Sequence, residues 1–198
     1  MRQKLRSSID AAVRAVERLK GPEALAFLES VSILLAKSFR EGNKVIIAGN
    51  GGSLCDAAHF AEELTGYFRR PRAALPVIAL TEPGHLTCVS NDVGFDSVFA
   101  RGVEAYGKEG DVFVGLSTSG NSPNIIKAVD LAKTLGLTTV TLLGPGGRLK
   151  GIADCELIIE GFSSSDRIQE AHMTALHILV EMVETLLFPE LLSCVCSQ

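Results

Sequence analysis

A chain of 198 residues, 46% of them hydrophobic, is long enough to bury one substantial core. Its net charge of -4 and pI near 5.6 argue against a nucleic-acid-binding surface or a basic membrane patch, both of which need clustered Lys and Arg. A small anion is not excluded, because local backbone N–H groups and hydroxyls can hold one without bulk positive charge.

Two helical patterns open the chain, over 2–20 and 23–40, divided by Gly21-Pro22. Each carries a single apolar stripe, so the expectation is a hairpin that needs a further surface to cover. The first segment, MRQKLRSSIDAAVRAVERLK, interleaves charged and apolar residues and lacks the unbroken apolar stretch of a secretory leader. Next come a strand at NKVIIAG (43–49), a helix over 53–68, a strand at LPVIAL (75–80) and a loop-rich helical stretch over 83–106. A strand at DVFVGLS (111–117), a helix over 123–135, strands at 137–144 and 154–160 and a long helix over 166–188 complete the series.

The runs VIIAG, VIAL, VFVGL and TVTLL are apolar throughout and alternate with helices, which predicts a parallel sheet covered on both faces. The expected architecture is α/β: a three-layer α/β/α fold with a central five-stranded parallel sheet, preceded by the N-terminal helical hairpin. No linker or repeat divides the chain, so it reads as one domain over 1–198. No run suits a membrane span, since LHILVEMVETLLF is broken by Glu181 and Glu184. Cys55, Cys88, Cys155, Cys194 and Cys196 are scattered and odd in number, as in reduced, cytoplasmic thiols. Cys194 and Cys196 could ligate or oxidise, or belong to a frayed tail.

Ligands of open parallel sheets bind where the strand order reverses, which directs attention to the loops after the first and third strands. The first reads Gly49-Asn50-Gly51-Gly52-Ser53. It lacks the Gly-Lys-Ser/Thr of a P-loop, and Leu54 stands where a dinucleotide site wants a third glycine or alanine. What remains is a tight turn with exposed N–H groups, or simply a strand-to-helix turn. The second loop reads Ser117-Thr118-Ser119-Gly120-Asn121-Ser122-Pro123. Hydroxyls crowded at a helix start suit an anion cradle, although Ser122 could merely cap the helix.

Within DAAHFAEEL, His59 and Glu63 lie roughly 40° apart on a helix, with Asp56 nearby and Phe60, Leu64 and Phe68 on the opposite, core-facing side. Such a pair can share a cation or a proton, or be a solvated ion pair. In the closing helix His177 borders the polar face about 80° from Gln169, whereas His172 falls among apolar residues and reads as a hydrogen-bonded core or interface histidine. Glu170 points much as His177 does and rivals it for a role. The wide apolar arc of this helix, beside two opening helices, predicts burial between subunits.

Taken together, AGNGGSLCDAAHFAEELTG, VSNDVGF, STSGNS and DRIQEAHMTALH resemble the sugar-isomerase (SIS) domain family, and within it the phosphoheptose isomerases, from about Asn43 to the end of the last helix. The resemblance implies interconversion of sedoheptulose 7-phosphate and D-glycero-D-manno-heptose 7-phosphate, supplying heptose for lipopolysaccharide. It assigns sugar contacts to Asn50, Gly51, Gly52, Asn91 and Asp92, and phosphate contacts to Ser117, Thr118, Ser119 and Ser122. It assigns zinc to His59, Glu63, Gln169 and His177, with Gln169 and Glu63 also reaching substrate. Glu63 would be the base and His177 the acid, in a homotetramer with sites at subunit interfaces. Two alternatives accompany it: an isomerase of another phosphosugar, and a non-catalytic relative binding the bacterial replication initiator. The latter relatives lack counterparts of Glu63 and His177; the ending ETLLFPELL is similar to theirs.

Overall fold

A computed structural model of the protein describes residues 1–191; Cys194 and Cys196 lie outside the described residues. Strands β1 (Val45–Gly49), β2 (Val77–Ala79), β3 (Val112–Ser117), β4 (Thr138–Leu143) and β5 (Cys155–Ile158) form one sheet in the order β2-β1-β3-β4-β5. Every pairing is parallel, as the continuous apolar runs predicted. β1 and β3 are buried along their whole length.

Alternate strand residues feed two cores. Val45 and Ile47 pack under helices α1 (Arg2–Glu17), α2 (Pro22–Arg40), α3 (Gly52–Thr65) and α7 (Ser165–Leu187), with Phe27, Leu35, Phe60 and Leu176 filling that layer. Ile46 and Ala48 turn to the other face, where Phe99 and Val103 of α5 (Val98–Tyr106) and Ile125 and Val129 of α6 (Pro123–Thr134) cover them. The expected three layers are present. Each large side chain buried here contributes about 1.5–3 kcal/mol of transfer free energy.

The opening helices, joined by a 3₁₀ turn (Arg18–Lys20), both pack against α7, which supplies the further surface that their apolar stripes required. Two local outcomes differ from expectation. The stretch 83–106 divides into α4 (Pro83–Asp92) and α5 around Gly94, whose φ of 110° is costly for any residue with a Cβ. Finally, α3 stops at Thr65, one residue before Gly66, so Phe68 lies beyond the helix, although it still packs against the core. Among the described residues no helix is long and apolar enough to cross a membrane.

Candidate active site

The chain reverses strand order between β1 and β3, with β2 on one side and β4 on the other. The two loops singled out from the sequence leave neighbouring strands at this point, and side chains tie them together. Asn50 and Asn124 exchange reciprocal amide hydrogen bonds at 2.9 Å in each direction, linking the first loop to the start of α6. Gly51 adopts φ 56°, and a Cβ on Gly52 would lie 2.6 Å from the Gln169 amide nitrogen. The Asn50 side chain is therefore engaged with protein, while Gly51 faces open space and the Gln169 amide fills the place a Gly52 side chain would take.

The second loop crowds four hydroxyls, those of Ser117, Thr118, Ser119 and Ser122, at the start of α6. Ser122 occupies the N-cap of α6 with Pro123 at the first turn, yet its hydroxyl makes no capping bond. It pairs instead with the Ser117 hydroxyl at 3.0 Å. The plain-cap alternative fails here. Ser119 accepts from the Asn121 N–H at 3.1 Å, and the Thr118 hydroxyl lies 3.4 Å from that of Ser165. Glycines of the following β4 loop allow the close backing: a Cβ on Gly120, itself at φ 63°, would sit 2.1 Å from the Gly146 carbonyl oxygen.

Across the fold, α3 and α7 bring an acid and two imidazoles together. The Glu63 Oε1 atom lies 3.1 Å from Nε2 of His59 and 3.3 Å from Nε2 of His177. The two rings are 5.1 Å apart, edge to face. Glu63 is buried, and its second carboxylate oxygen has no hydrogen-bond partner among the described residues. These ligand atoms all fall within 4.8 Å of one another. A tetrahedral ion with bonds of about 2.0–2.1 Å holds its ligand atoms about 3.3 Å apart, close to the two separations observed. The residues present thus fit a divalent metal. They could equally pass a proton, since a buried carboxylate flanked by two imidazoles is both acceptor and donor-paired.

The remaining candidates sit around this centre. Gln169 faces the first loop, its amide donating to the Ser53 hydroxyl at 3.3 Å; eight residues of helix, about 12 Å of rise, separate it from His177. Asn91 and Asp92 end α4, bonded to each other at 2.7 Å, and Asp92 accepts from the Cys88 thiol. Asp56 leaves one oxygen unpartnered among the described residues, and burial raises its carboxyl above the usual range while His59 pulls the other way. Glu170 is paired with Arg167 at 2.9 Å. His172 is fully buried, its Nε2 within 3.1 Å of the Leu143 carbonyl, and burial pushes its pKa down to about 4. It is a neutral core histidine, as its helical position predicted.

Sequence reasoning missed Phe68. Its ring stacks on His177 at 5.8 Å and 19°, and the Arg69 guanidinium also lies over this ring, 5.0 Å from its centroid. Gly66 was the available signal that α3 would end before it.

The SIS domain model matches residues 9–144, which is more than half of the chain. A phosphoheptose isomerase of Fusobacterium nucleatum is 60% identical over 163 residues, covering 82% of this chain and 84% of that protein. One from Pectobacterium atrosepticum is 49% identical over 182 residues, covering 91% and 94%. The solved structure of a phosphoheptose isomerase from Francisella tularensis superposes with a TM-score of 0.87 at 31% identity, covering 92% of this chain and 97% of that one. The chain belongs to the SIS domain family and, within it, to the phosphoheptose isomerases.

Proposed function

We propose that this isomerase interconverts sedoheptulose 7-phosphate and D-glycero-D-manno-heptose 7-phosphate in the cytoplasm, with Glu63 as carbon base and His177 as oxygen acid. The observation that carries this reading is the Glu63 carboxylate, buried and held between two imidazoles drawn from helices far apart in sequence. Family membership supplies the reaction class, because the related proteins are phosphoheptose isomerases.

An aldose–ketose exchange moves one proton between adjacent carbons and another between their oxygens, through a cis-enediol. A carboxylate can remove the carbon-bound proton and return it to the neighbouring carbon, and an imidazole can serve the oxygens in turn. Ser117, Thr118, Ser119 and Ser122 would hold the phosphate at the start of α6, where helix-end donors favour negative charge. Gly51, Gly52, Asn91 and Asp92 would meet the sugar. Asn50 would shape that pocket while bound to Asn124.

Zinc is the proposed metal, held by His59, Glu63 and His177, and by Gln169 if its bond to Ser53 breaks. When bound, the ion would stabilise negative charge on the substrate oxygens. The same carboxylate is a weaker base while it is a ligand, so Glu63 would serve the two roles in turn. The pairing of Glu63 with His177 favours this enzyme over the initiator-binding alternative.

We also infer a single SIS domain whose first forty residues assemble a homotetramer. Turnover of sedoheptulose 7-phosphate, followed by NMR with chelator and with added zinc, tests the whole reading. Activity should vanish on chelation, return with zinc, and fall at least about 10³-fold in Glu63→Gln. Failure of the wild-type protein to convert this sugar would refute it.

A further inference from the structure

The strongest feature that the proposed mechanism leaves unused is a buried ion pair just behind the acid–imidazole cluster. Arg72, with its side chain 1% exposed, donates from Nε to the Glu184 carboxylate at 2.8 Å. Its Nη2 donates to the main-chain carbonyl of Glu63 at 2.7 Å. Its Nη1 donates to the carbonyls of Leu64 and Gly66 at 2.7 and 2.8 Å. The last turn of α3 has no basic residue of its own, so this guanidinium answers its orphan carbonyls and the negative end of its dipole. Glu184 belongs to α7, two turns beyond His177. The oxygen that binds Arg72 also accepts the Phe68 N–H at 3.3 Å, and Phe68 is the residue whose ring stacks on His177.

One charged pair therefore touches both sides of the site. Through the Glu63 carbonyl it holds the end of α3 that carries the carboxylate, and through Phe68 it sets the ring against which His177 rests. We propose that Arg72 and Glu184 are positioning residues that fix the Glu63–His177 separation and so set the rate of proton transfer. The planar guanidinium suits this, because its fork can satisfy a carboxylate and several carbonyls at once, whereas a lysine ammonium is a single point of charge on a flexible stem. Burying such a pair is poor value for stability alone, since apolar replacements of similar size are often as stable.

The inference rests on reading Glu63 and His177 as the proton-moving pair, and the experiment separates the two. Arg72→Lys keeps the charge and should remain folded. Its kcat should fall about 10–100-fold with KM unchanged within about threefold, the signature of misplaced catalytic groups. The double variant Arg72→Met with Glu184→Leu leaves no buried charge unpaired but deprives the α3 carbonyls of their donor, so it should melt below the native protein and above Arg72→Met alone, while kcat stays low. A purely structural pair would instead let kcat recover together with stability. Native kcat in folded Arg72→Lys, or recovered kcat in the double variant, overturns the proposal. Glu63→Gln assayed alongside keeps the outcomes distinct: if it retains activity, the reading of the site fails first, whatever Arg72 does.

Discussion

His172 and His177 stand five residues apart on one helix and meet opposite surroundings. His177 is partly exposed and faces Glu63, whereas His172 is sealed in the core with its Nε2 against the Leu143 carbonyl. Burial lowers the His172 pKa from 6.5 to about 4, so an unfolded chain binds a proton there more readily than the folded one. The sign follows: this contribution to stability is full above about pH 6.5 and is lost as the pH falls towards 4, by up to about 3 kcal/mol. Melting curves across that range should show His172→Gln less stable near neutrality, by about 2 kcal/mol, with a shallower acid slope than the native protein. Its kcat should change little by comparison. A large loss of kcat in a stable His172→Gln protein would mean that the roles of the two histidines are exchanged.

At the level of elements, the proposed phosphate role turns on the hydroxyl at the start of α6. Ser122 stands at the N-cap but bonds to Ser117 and not to the helix, so its removal should cost the helix little. Ser122→Ala is expected to raise KM for the sugar phosphate about tenfold, with an unchanged melting temperature. An ordinary cap would behave in reverse, losing about 1 kcal/mol of stability and no affinity. The loop's shape depends on Gly120, where a side chain would meet the backbone at Gly146 and not a movable group. The chain after β4 backs that loop closely.

The whole molecule leaves apolar surface uncovered. Leu5, Ile9 and Val13 follow one another at four-residue spacing on α1 and are 56%, 62% and 52% exposed. Beside them an apolar groove of about 570 Å³ runs between α1, α2 and α7, lined by Leu25, Ile33 and Met182 among others. A second groove places His177 next to Val13 and Val16, so an assembly using α1 would close over the site. Such a surface suits contacts between copies of the chain. Light scattering should report a tetramer at micromolar concentration, and Ile9→Glu should shift it to smaller species with a concentration-dependent melting point. A stable native monomer would remove the assembly from the account.

Much of this protein was legible in its amino-acid order, and the reasons are local. Apolar runs such as VFVGL cannot face water on either side, so they required a sheet covered twice. Helical spacing alone set His59 beside Glu63 and sent His172 to the core. Where α3 would stop was less readable, since the decisive partner of its last carbonyls, Arg72, comes from a loop beyond it. Only the tertiary structure decided that α3 and α7 meet, that Phe68 backs His177, and that Glu63 lies between two imidazoles. The contacts of Glu63 and Phe68 with His177 join residues more than a hundred positions apart, and such closeness is created by packing on a shared sheet, which no periodicity within a single segment can express.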